Sequence, residues 1–162
     1  MILIAIGANL PGSGGAGPHV ACKAAVAALS ALPGLRIVSV SKWYQTIPVP
    51  ASDQPPYVNG AVRLDGRADP EWLLARLHAI EANAGRLRDA ANAARTLDLD
   101  LIAIDGVIRH APDPVLPHPR AHQRAFVLAP LVDVAPEWMH PILGRTATEL
   151  LAGLPDQGVV LL

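Results

Sequence analysis

Two acidic residues at alternate positions of an apolar segment have the spacing of a chemical site. Polar and apolar residues alternate over 95–101, Arg-Thr-Leu-Asp-Leu-Asp-Leu, as they do in a half-buried strand. Side chains alternate across a strand, so Asp98 and Asp100 share one face, with Cα atoms about 6.5–7 Å apart. Two carboxylates this close repel unless positive charge lies between them. The pair predicts a site for divalent metal ions that hold a polyphosphate, or alternatively an amphipathic strand with acids facing solvent.

Basic side chains crowd the segments before and after this strand. Guanidinium groups bind phosphate oxygens through paired hydrogen bonds, so both segments are candidates for a clamp on a polyphosphate. They contain Arg86, Arg88 and Arg95 before the acidic pair, and His118, Arg120, His122 and Arg124 after it. Each could instead be an ordinary solvated surface charge. The spacing of His118 and His122 would allow zinc binding, but Pro119 disfavours a regular helix there and no third ligand is apparent.

Tyr57 and Phe126 are candidates for stacking a flat heterocycle. The whole chain has three Trp, two Tyr and one Phe, and each of these two rings could equally belong to the core.

A glycine pattern near the N-terminus resembles a nucleotide-binding motif. Residues 12–17, Gly-Ser-Gly-Gly-Ala-Gly, match G-x-G-x-x-G after a short apolar strand. A dinucleotide site also needs an acidic residue about 20 positions on, at the end of the second strand, and 35–42 contains none. We therefore interpret 12–17 as a loop. The chain also lacks the G-x-x-x-x-G-K-[ST] motif, so a nucleotide would have to be held without a P-loop.

The elements that must position these side chains follow the order β-α-β-β-α-β. Strands are predicted over 2–7, 35–44 and 57–64 and around Asp98 and Asp100, and helices over 19–32 and 70–84. This order is typical of the ferredoxin-like arrangement of the α+β class, an antiparallel sheet with helices on one face. A C-terminal helical extension is predicted over 124–134 and 146–152, where Thr146 and Glu149 form a capping box.

Composition limits the class of protein. The 162 residues suit a single domain over 1–162, and a net charge of −1 gives no basic surface for nucleic acid or an anionic membrane. No apolar run approaches the ~20 residues of a membrane span, and the first residues lack the basic region of a signal peptide. We expect a cytoplasmic monomer that binds small molecules. The single cysteine, Cys22, is expected in the core.

Several segments in order resemble the 6-hydroxymethyl-7,8-dihydropterin pyrophosphokinase family. The most specific are Arg95-Thr96-Leu97-Asp98-Leu99-Asp100, then Pro117-His118-Pro119-Arg120, then Arg124-Ala125-Phe126. Similar segments are 4–10, 41–46, 53–59, 80–81 and 85–88, so the resemblance extends from about residue 1 to 136.

This resemblance implies transfer of the pyrophosphoryl group of ATP to the pterin hydroxymethyl oxygen, with release of AMP, in folate biosynthesis. It implies that Asp98 and Asp100 hold two Mg²⁺ ions. Tyr57 and Phe126 would stack the pterin ring, while Thr46, Asn59 and the backbone near Pro48 and Val49 would read its edge. The predicted ATP contacts are Arg86, Arg88, Arg95, His118 and Arg124, with Glu81 close by, and Arg86 and Arg95 are also predicted to be catalytic.

The chain departs from the family pattern in one basic loop. Members carry a Trp before the position of Arg95, whereas 89–94 is Asp-Ala-Ala-Asn-Ala-Ala. Two other classes of function stay open: a ferredoxin-like regulatory module that binds a small molecule without catalysis, and a metal-dependent phosphodiesterase. The near-neutral net charge disfavours the phosphodiesterase, which would want a positive surface for its substrate.

Overall fold

The structure of the chain is a computed structural model that describes residues 1–9, 17–46, 56–85 and 97–162. Within these ranges it contains a six-stranded sheet, whose paired strands are all antiparallel, and four α-helices. A 3-10 helix, Ala121–Gln123, lies between the fifth strand and the third helix. The elements in chain order are β1 Ile2–Ala8, α1 Pro18–Ser30, β2 Leu35–Val40, β3 Tyr44–Thr46, β4 Tyr57–Gly66, α2 Pro70–Asn83, β5 Asp98–Ile104, α3 Ala125–Val134, α4 Ala147–Ala152 and β6 Val159–Leu161.

The order of strands in the sheet is β5-β1-β4-β3-β6, and β2 also pairs with β4. The predicted α+β fold with an antiparallel sheet is therefore confirmed, with the strand predicted over 35–44 divided into β2 and β3. Ser41 lies at the division: its amide donates to the Ala61 carbonyl (2.9 Å), while its Oγ accepts from the Ala61 amide (2.8 Å). Val40 pairs with Val62 and Tyr44 with Asn59. The chain thus contains one more residue than its partner strand across this division, which is typical of a bulge.

Local signals set the helix ends close to the predicted positions. The Asp69 carboxylate accepts from the Trp72 amide (3.0 Å) at the start of α2, with Pro70 as the first helical residue. Gly85 follows the helix with a φ of +88°, a conformation that favours glycine. At α4 the predicted capping box is present, since Thr146 Oγ1 accepts from the Glu149 amide and the Glu149 carboxylate accepts from the Thr146 amide.

Both faces of the sheet are covered, which explains the continuous apolar run of β1. Ile2, Ile4 and Ile6 belong to a core cluster with side chains of α1 and α2. Leu3 and Ala5 point the other way, into a second cluster formed with α3 and α4. The C-terminal extension therefore closes much of the second face, so a strand with no solvated side carries few polar residues. In the described part of the chain, no helix combines the length and the apolar character of a membrane span.

Candidate active site

A row of polar and small residues crosses the sheet on the face that α3 covers only in part. In the register of the strands, Asp98 of β5 lies opposite Gly7 of β1, which lies opposite Asn59 of β4. Adjacent strands are about 4.8 Å apart, so Asp98 and Asn59 are separated by about 10 Å with only a glycine between them. The next row, two residues along, pairs Asp100 with Ala5. The sheet therefore presents two carboxylates beside a floor of small residues.

These rows form one side of a cavity of about 610 Å³. The floor comes from Ala5, Ile6 and Gly7, and the opposite wall comes from the segment that leads into α3 and from the first turn of that helix. The other described residues that line the cavity are Thr46, Tyr57, Asn59, Asp98, Asp100, His118, Pro119, Arg120, Arg124, Phe126 and Val127. The volume lies in the range of small-molecule sites, about 300–1,000 Å³.

The structure brings together eight of the site residues predicted from the sequence. They are Thr46, Tyr57, Asn59, Asp98, Asp100, His118, Arg124 and Phe126. Five others, Pro48, Val49, Arg86, Arg88 and Arg95, lie outside the described residues, as does most of the glycine pattern at 12–17.

Glu81 was predicted to lie close to ATP, and the structure places it beneath the carboxylate strand. Its side chain is fully buried in α2, and Oε2 accepts from the Leu99 amide (2.8 Å). Leu99 is the residue between Asp98 and Asp100 in β5, which is an edge strand of the sheet. Glu81 therefore supports the carboxylate pair from the opposite face, and a contact of Glu81 with ATP stays a prediction.

One end of the cavity is suited to a flat polar ring. The Asn59 amide nitrogen donates to Thr46 Oγ1 (2.7 Å). This hydrogen bond fixes both side chains where β3 ends and β4 begins. Asn59 is buried, and Gly7 makes room for it, since a Cβ at Gly7 would lie 3.1 Å from Asn59 Oδ1. Tyr57 pairs with Thr46 in the β3–β4 ladder, and the Tyr57 and Phe126 side chains both line the cavity. Rings with a few fixed hydrogen-bonding groups are typical of sites for aromatic heterocycles.

The other end is charged, and His118 lies where the charges meet. Burial lowers the pKa of His118, the nearby Arg124 guanidinium lowers it further, and the Asp98 carboxylate acts in the opposite direction. His118 Nδ1 accepts from the Arg120 amide (3.2 Å), so the proton of the neutral ring is assigned to Nε2. The Arg124 guanidinium lies 5.5 Å from the centre of the Phe126 ring, a cation–π contact that links the charged and aromatic ends.

The donor set suits a hard divalent cation. Asp98 and Asp100 offer carboxylate oxygens on one strand face, and Mg²⁺ is commonly bound by one or two carboxylates that share it with substrate phosphates. Among the described residues no group of three or more His, Cys, Asp and Glu side chains could hold a metal ion by itself. A pair of carboxylates beside His118, Arg120 and Arg124 therefore fits a metal bound together with a polyphosphate better than a closed structural metal site.

The floor of the cavity and part of its wall could not be predicted from the sequence. Val127 and Pro119 line the cavity and were not assigned to the site. Arg120, a candidate for the polyphosphate clamp that was not among the ATP contacts implied by the resemblance, also lines it. The contribution of Ala5 and Gly7 depends on which strands lie beside β1, and no local signal in 2–8 carries that information.

The chain is similar to known proteins of one family. The family model described as 7,8-dihydro-6-hydroxymethylpterin-pyrophosphokinase (HPPK) matches residues 3–136. A 2-amino-4-hydroxy-6-hydroxymethyldihydropteridine pyrophosphokinase from Pseudomonas aeruginosa is 40% identical over 158 residues, covering 98% of this chain and 94% of the relative. A protein of the same name from Methylorubrum extorquens is 38% identical over 150 residues, covering 90% of this chain and 94% of the relative.

The fold is shared with solved structures of a longer protein. The wild-type HPPK-DHPS of Plasmodium falciparum superposes with a TM-score of 0.68 at 13% identity, over 93% of this chain. This chain spans only 44% of the length of that structure. At such low identity the superposition supports the fold alone.

Proposed function

Because the chain belongs to the 7,8-dihydro-6-hydroxymethylpterin-pyrophosphokinase family, and is thus a pyrophosphokinase, we propose the following reaction for it. The hydroxymethyl oxygen of 6-hydroxymethyl-7,8-dihydropterin attacks the β-phosphorus of ATP. The bond from that phosphorus to the oxygen shared with the α-phosphate breaks, AMP leaves with that oxygen, and the pterin gains a diphosphate while the hydroxyl proton is lost to solvent. The product belongs to folate biosynthesis. The single observation that carries this proposal is a cavity lined by two carboxylates, two aromatic rings and the basic side chains of 118–124.

The pterin occupies the aromatic end in this proposal. Its ring lies between Tyr57 and Phe126, and its polar edge meets the hydrogen-bonded pair of Asn59 and Thr46. Asn59 Oδ1 still has capacity to accept hydrogen bonds, and Thr46 Oγ1 retains a hydroxyl hydrogen to donate. Backbone groups near Pro48 and Val49 are proposed to complete the edge. The buried Asn59 amide and the half-buried Thr46 hydroxyl would discriminate against a ring without matching groups, because those polar atoms would lose their partners.

The triphosphate of ATP lies at the charged end in this proposal. Asp98 and Asp100 would hold two Mg²⁺ ions, which would supply positive charge to neutralise the phosphate oxygens. Arg124 offers a guanidinium to those oxygens, and neutral His118 offers its Nε2 hydrogen. We propose the same phosphate-binding role for Arg86, Arg88 and Arg95, which precede β5.

The main contribution of this chain to the reaction is to position the two substrates. Phosphoryl-type transfer needs an in-line approach and neutralised oxygens more than covalent catalysis. The pairing of β5 with β1 holds Asp98 and Asp100 in place. The packing of α3 holds Phe126 in place. Residues on a strand and at the start of a helix can therefore position the two substrates precisely.

The test is a coupled assay that measures AMP formed from ATP, hydroxymethyldihydropterin and Mg²⁺. We expect AMP only when all three are present, and loss of its formation in Asp98→Asn. The matched control is Asp65→Asn, which changes an exposed carboxylate of β4 that pairs with Arg36 (3.3 Å) away from the cavity. Pterin binding without AMP release would refute the proposal in favour of a binding module, and phosphate-ester hydrolysis without pterin would refute it in favour of a phosphodiesterase.

A further inference from the structure

One side chain of the C-terminal segment bridges the backbone on both sides of Arg124. Gln157 lies between α4 and β6 and is half-buried. Its Oε1 accepts from the Ala125 amide (2.8 Å), and its Nε2 donates to the Gln123 carbonyl (3.1 Å). The Gln157 side-chain amide therefore bonds to the backbone of both residues that flank Arg124, and Arg124 lines the cavity.

The bridged backbone needs such a partner. Arg124 is extended, with φ −118° and ψ 108°, and separates the 3-10 helix from α3. The first amides of a helix have no partner inside the helix, and the Arg124 side chain forms no capping hydrogen bond. Gln157 supplies the missing acceptor for Ala125 from a distant part of the chain. The Arg124 and Phe126 side chains project into the cavity from this helix start.

The same segment also supports the opposite wall. Two residues after Gln157, Val159 pairs with Thr46 in the β6–β3 ladder, and Thr46 Oγ1 accepts from Asn59. Between them, Gly158 has a φ of +74° and donates its amide to Asp156 Oδ1 (2.9 Å), which fixes the turn. Three consecutive residues, 157–159, thus connect the wall that carries Phe126 to the wall that carries Thr46.

We propose that Gln157 is a positioning residue of the pterin site, acting through the backbone of Arg124 and Ala125. The inference rests on the proposed function, because it assigns the ring of the substrate to the gap between the two walls. It adds a residue beyond the stretch that the family model matches, which ends at residue 136. Gln157 is not among the described residues that line the cavity. It would therefore act on the ligand only through Phe126 and Arg124.

The experiment compares Gln157→Met, which loses both hydrogen bonds at similar volume, with Gln157→Glu, which keeps an acceptor for the Ala125 amide. Thr148→Val is the matched control: it removes a hydrogen bond from the same C-terminal region, Thr148 Oγ1 to the Pro136 carbonyl (3.1 Å), away from the cavity. Calorimetry measures the pterin Kd with Mg²⁺ and an unreactive ATP analogue present. Thermal melting and exchange of the Ala125 amide hydrogen are measured in parallel.

We expect Gln157→Met to raise the pterin Kd roughly two- to tenfold, the range for one net hydrogen bond. The Ala125 amide should exchange faster in this variant than in Gln157→Glu, which keeps the acceptor for that amide but loses the donor to the Gln123 carbonyl. Thr148→Val should lower Tm without changing the Kd.

The outcomes separate this inference from the proposed function. If Gln157→Met lowers Tm like Thr148→Val while its pterin Kd matches that of the unaltered protein, Gln157 is a stabilising contact only and the positioning role is refuted. If the unaltered protein itself fails to bind pterin, the proposed function is refuted and the positioning role with it.

Discussion

Replacing Glu81 by leucine tests whether a buried carboxylate supports the two acidic residues from below. Glu81 is fully buried, and its Oε2 accepts from the Leu99 amide at 2.8 Å. Leucine has nearly the same volume but no acceptor, so Glu81→Leu leaves packing almost unchanged and removes the partner of a buried amide. The amide belongs to the residue between Asp98 and Asp100, so the change acts directly on the strand that carries them.

The magnitude follows from the cost of leaving a buried donor unsatisfied. That cost is about 1–3 kcal/mol, and we expect the free energy of unfolding to fall by at least about 1 kcal/mol. Among the described strands, β5 lies at the edge of the sheet and pairs only with β1, so the freed segment can shift. A displacement of about 1 Å at reacting groups can lower a rate by about a hundredfold. We therefore expect kcat to fall even under conditions in which the Glu81→Leu variant remains folded.

Urea denaturation and kcat, measured on the same preparations, check this expectation. Glu81→Gln keeps an oxygen that can accept from Leu99 and should lose less of both quantities. Glu71→Gln is a control on the same helix, since Glu71 is exposed and pairs with Arg109. If Glu81→Leu unfolds at the same urea concentration as the unaltered protein and keeps its kcat, the supporting role of Glu81 is wrong.

Three further expectations concern the carboxylates, the rings and a buried histidine. Asp98→Asn or Asp100→Asn should lower turnover by several orders of magnitude with Tm nearly unchanged, since both side chains face the cavity rather than a core cluster. Tyr57→Ala and Phe126→Ala should each weaken pterin binding by about 1–3 kcal/mol in calorimetry. Burial and the nearby His122 lower the pKa of His140 from its usual 6.5. Below pH 6.5 the unfolded chain therefore binds more protons than the folded one, and the free energy of unfolding should fall as pH drops through 6.5 toward the lowered pKa.

Each expectation has a control and an opposing outcome. Near-normal AMP release by either Asp variant would contradict the metal assignment. ATP affinity measured without pterin should be unaltered in the ring variants, and normal pterin binding by both would place the ring elsewhere. His140 Nδ1 accepts from the Ile142 and Leu143 amides (3.2 and 3.1 Å). His140→Asn can retain such an acceptor and should flatten the pH dependence, whereas the exposed His110→Asn should not. An equally steep pH dependence in His140→Asn would assign it to other groups.

The parts of the site that could be predicted from sequence are those set by local periodicity or by a motif. Asp98 and Asp100 face one way and Leu99 the other because strand side chains alternate over neighbouring residues. The capping residues Asp69 and Thr146 likewise act on amides three positions away. Tyr57 and Phe126 were predicted as site residues because aromatic residues are scarce in the chain and because of the family resemblance. No local rule distinguished them from core residues.

The features that could not be predicted from the sequence depend on contacts between residues far apart in the chain. Ser41 interrupts the strand predicted over 35–44 because it bonds to Ala61, twenty residues away. β6 is only three residues long, with its second and third residues exposed, and its place in the sheet depends on pairing with β3. Gln157 has no motif around it, and its role depends on where the chain end returns to α3. Such contacts have no periodic signature and are fixed by the register and packing of the whole fold.

The change of character along β5 shows how one sheet face serves both as core and as active site. Asp98, Asp100 and Ile102 are spaced two apart and share that face. The first two line the cavity, whereas Ile102 is fully buried in the cluster that includes α3 and α4. The switch from carboxylate to isoleucine therefore marks the line at which the C-terminal helices begin to cover the sheet. Arg124 precedes α3 and Phe126 lies in its first turn, so the packing that completes the core also brings the proposed phosphate-binding and ring-stacking groups into the same cavity as the two carboxylates.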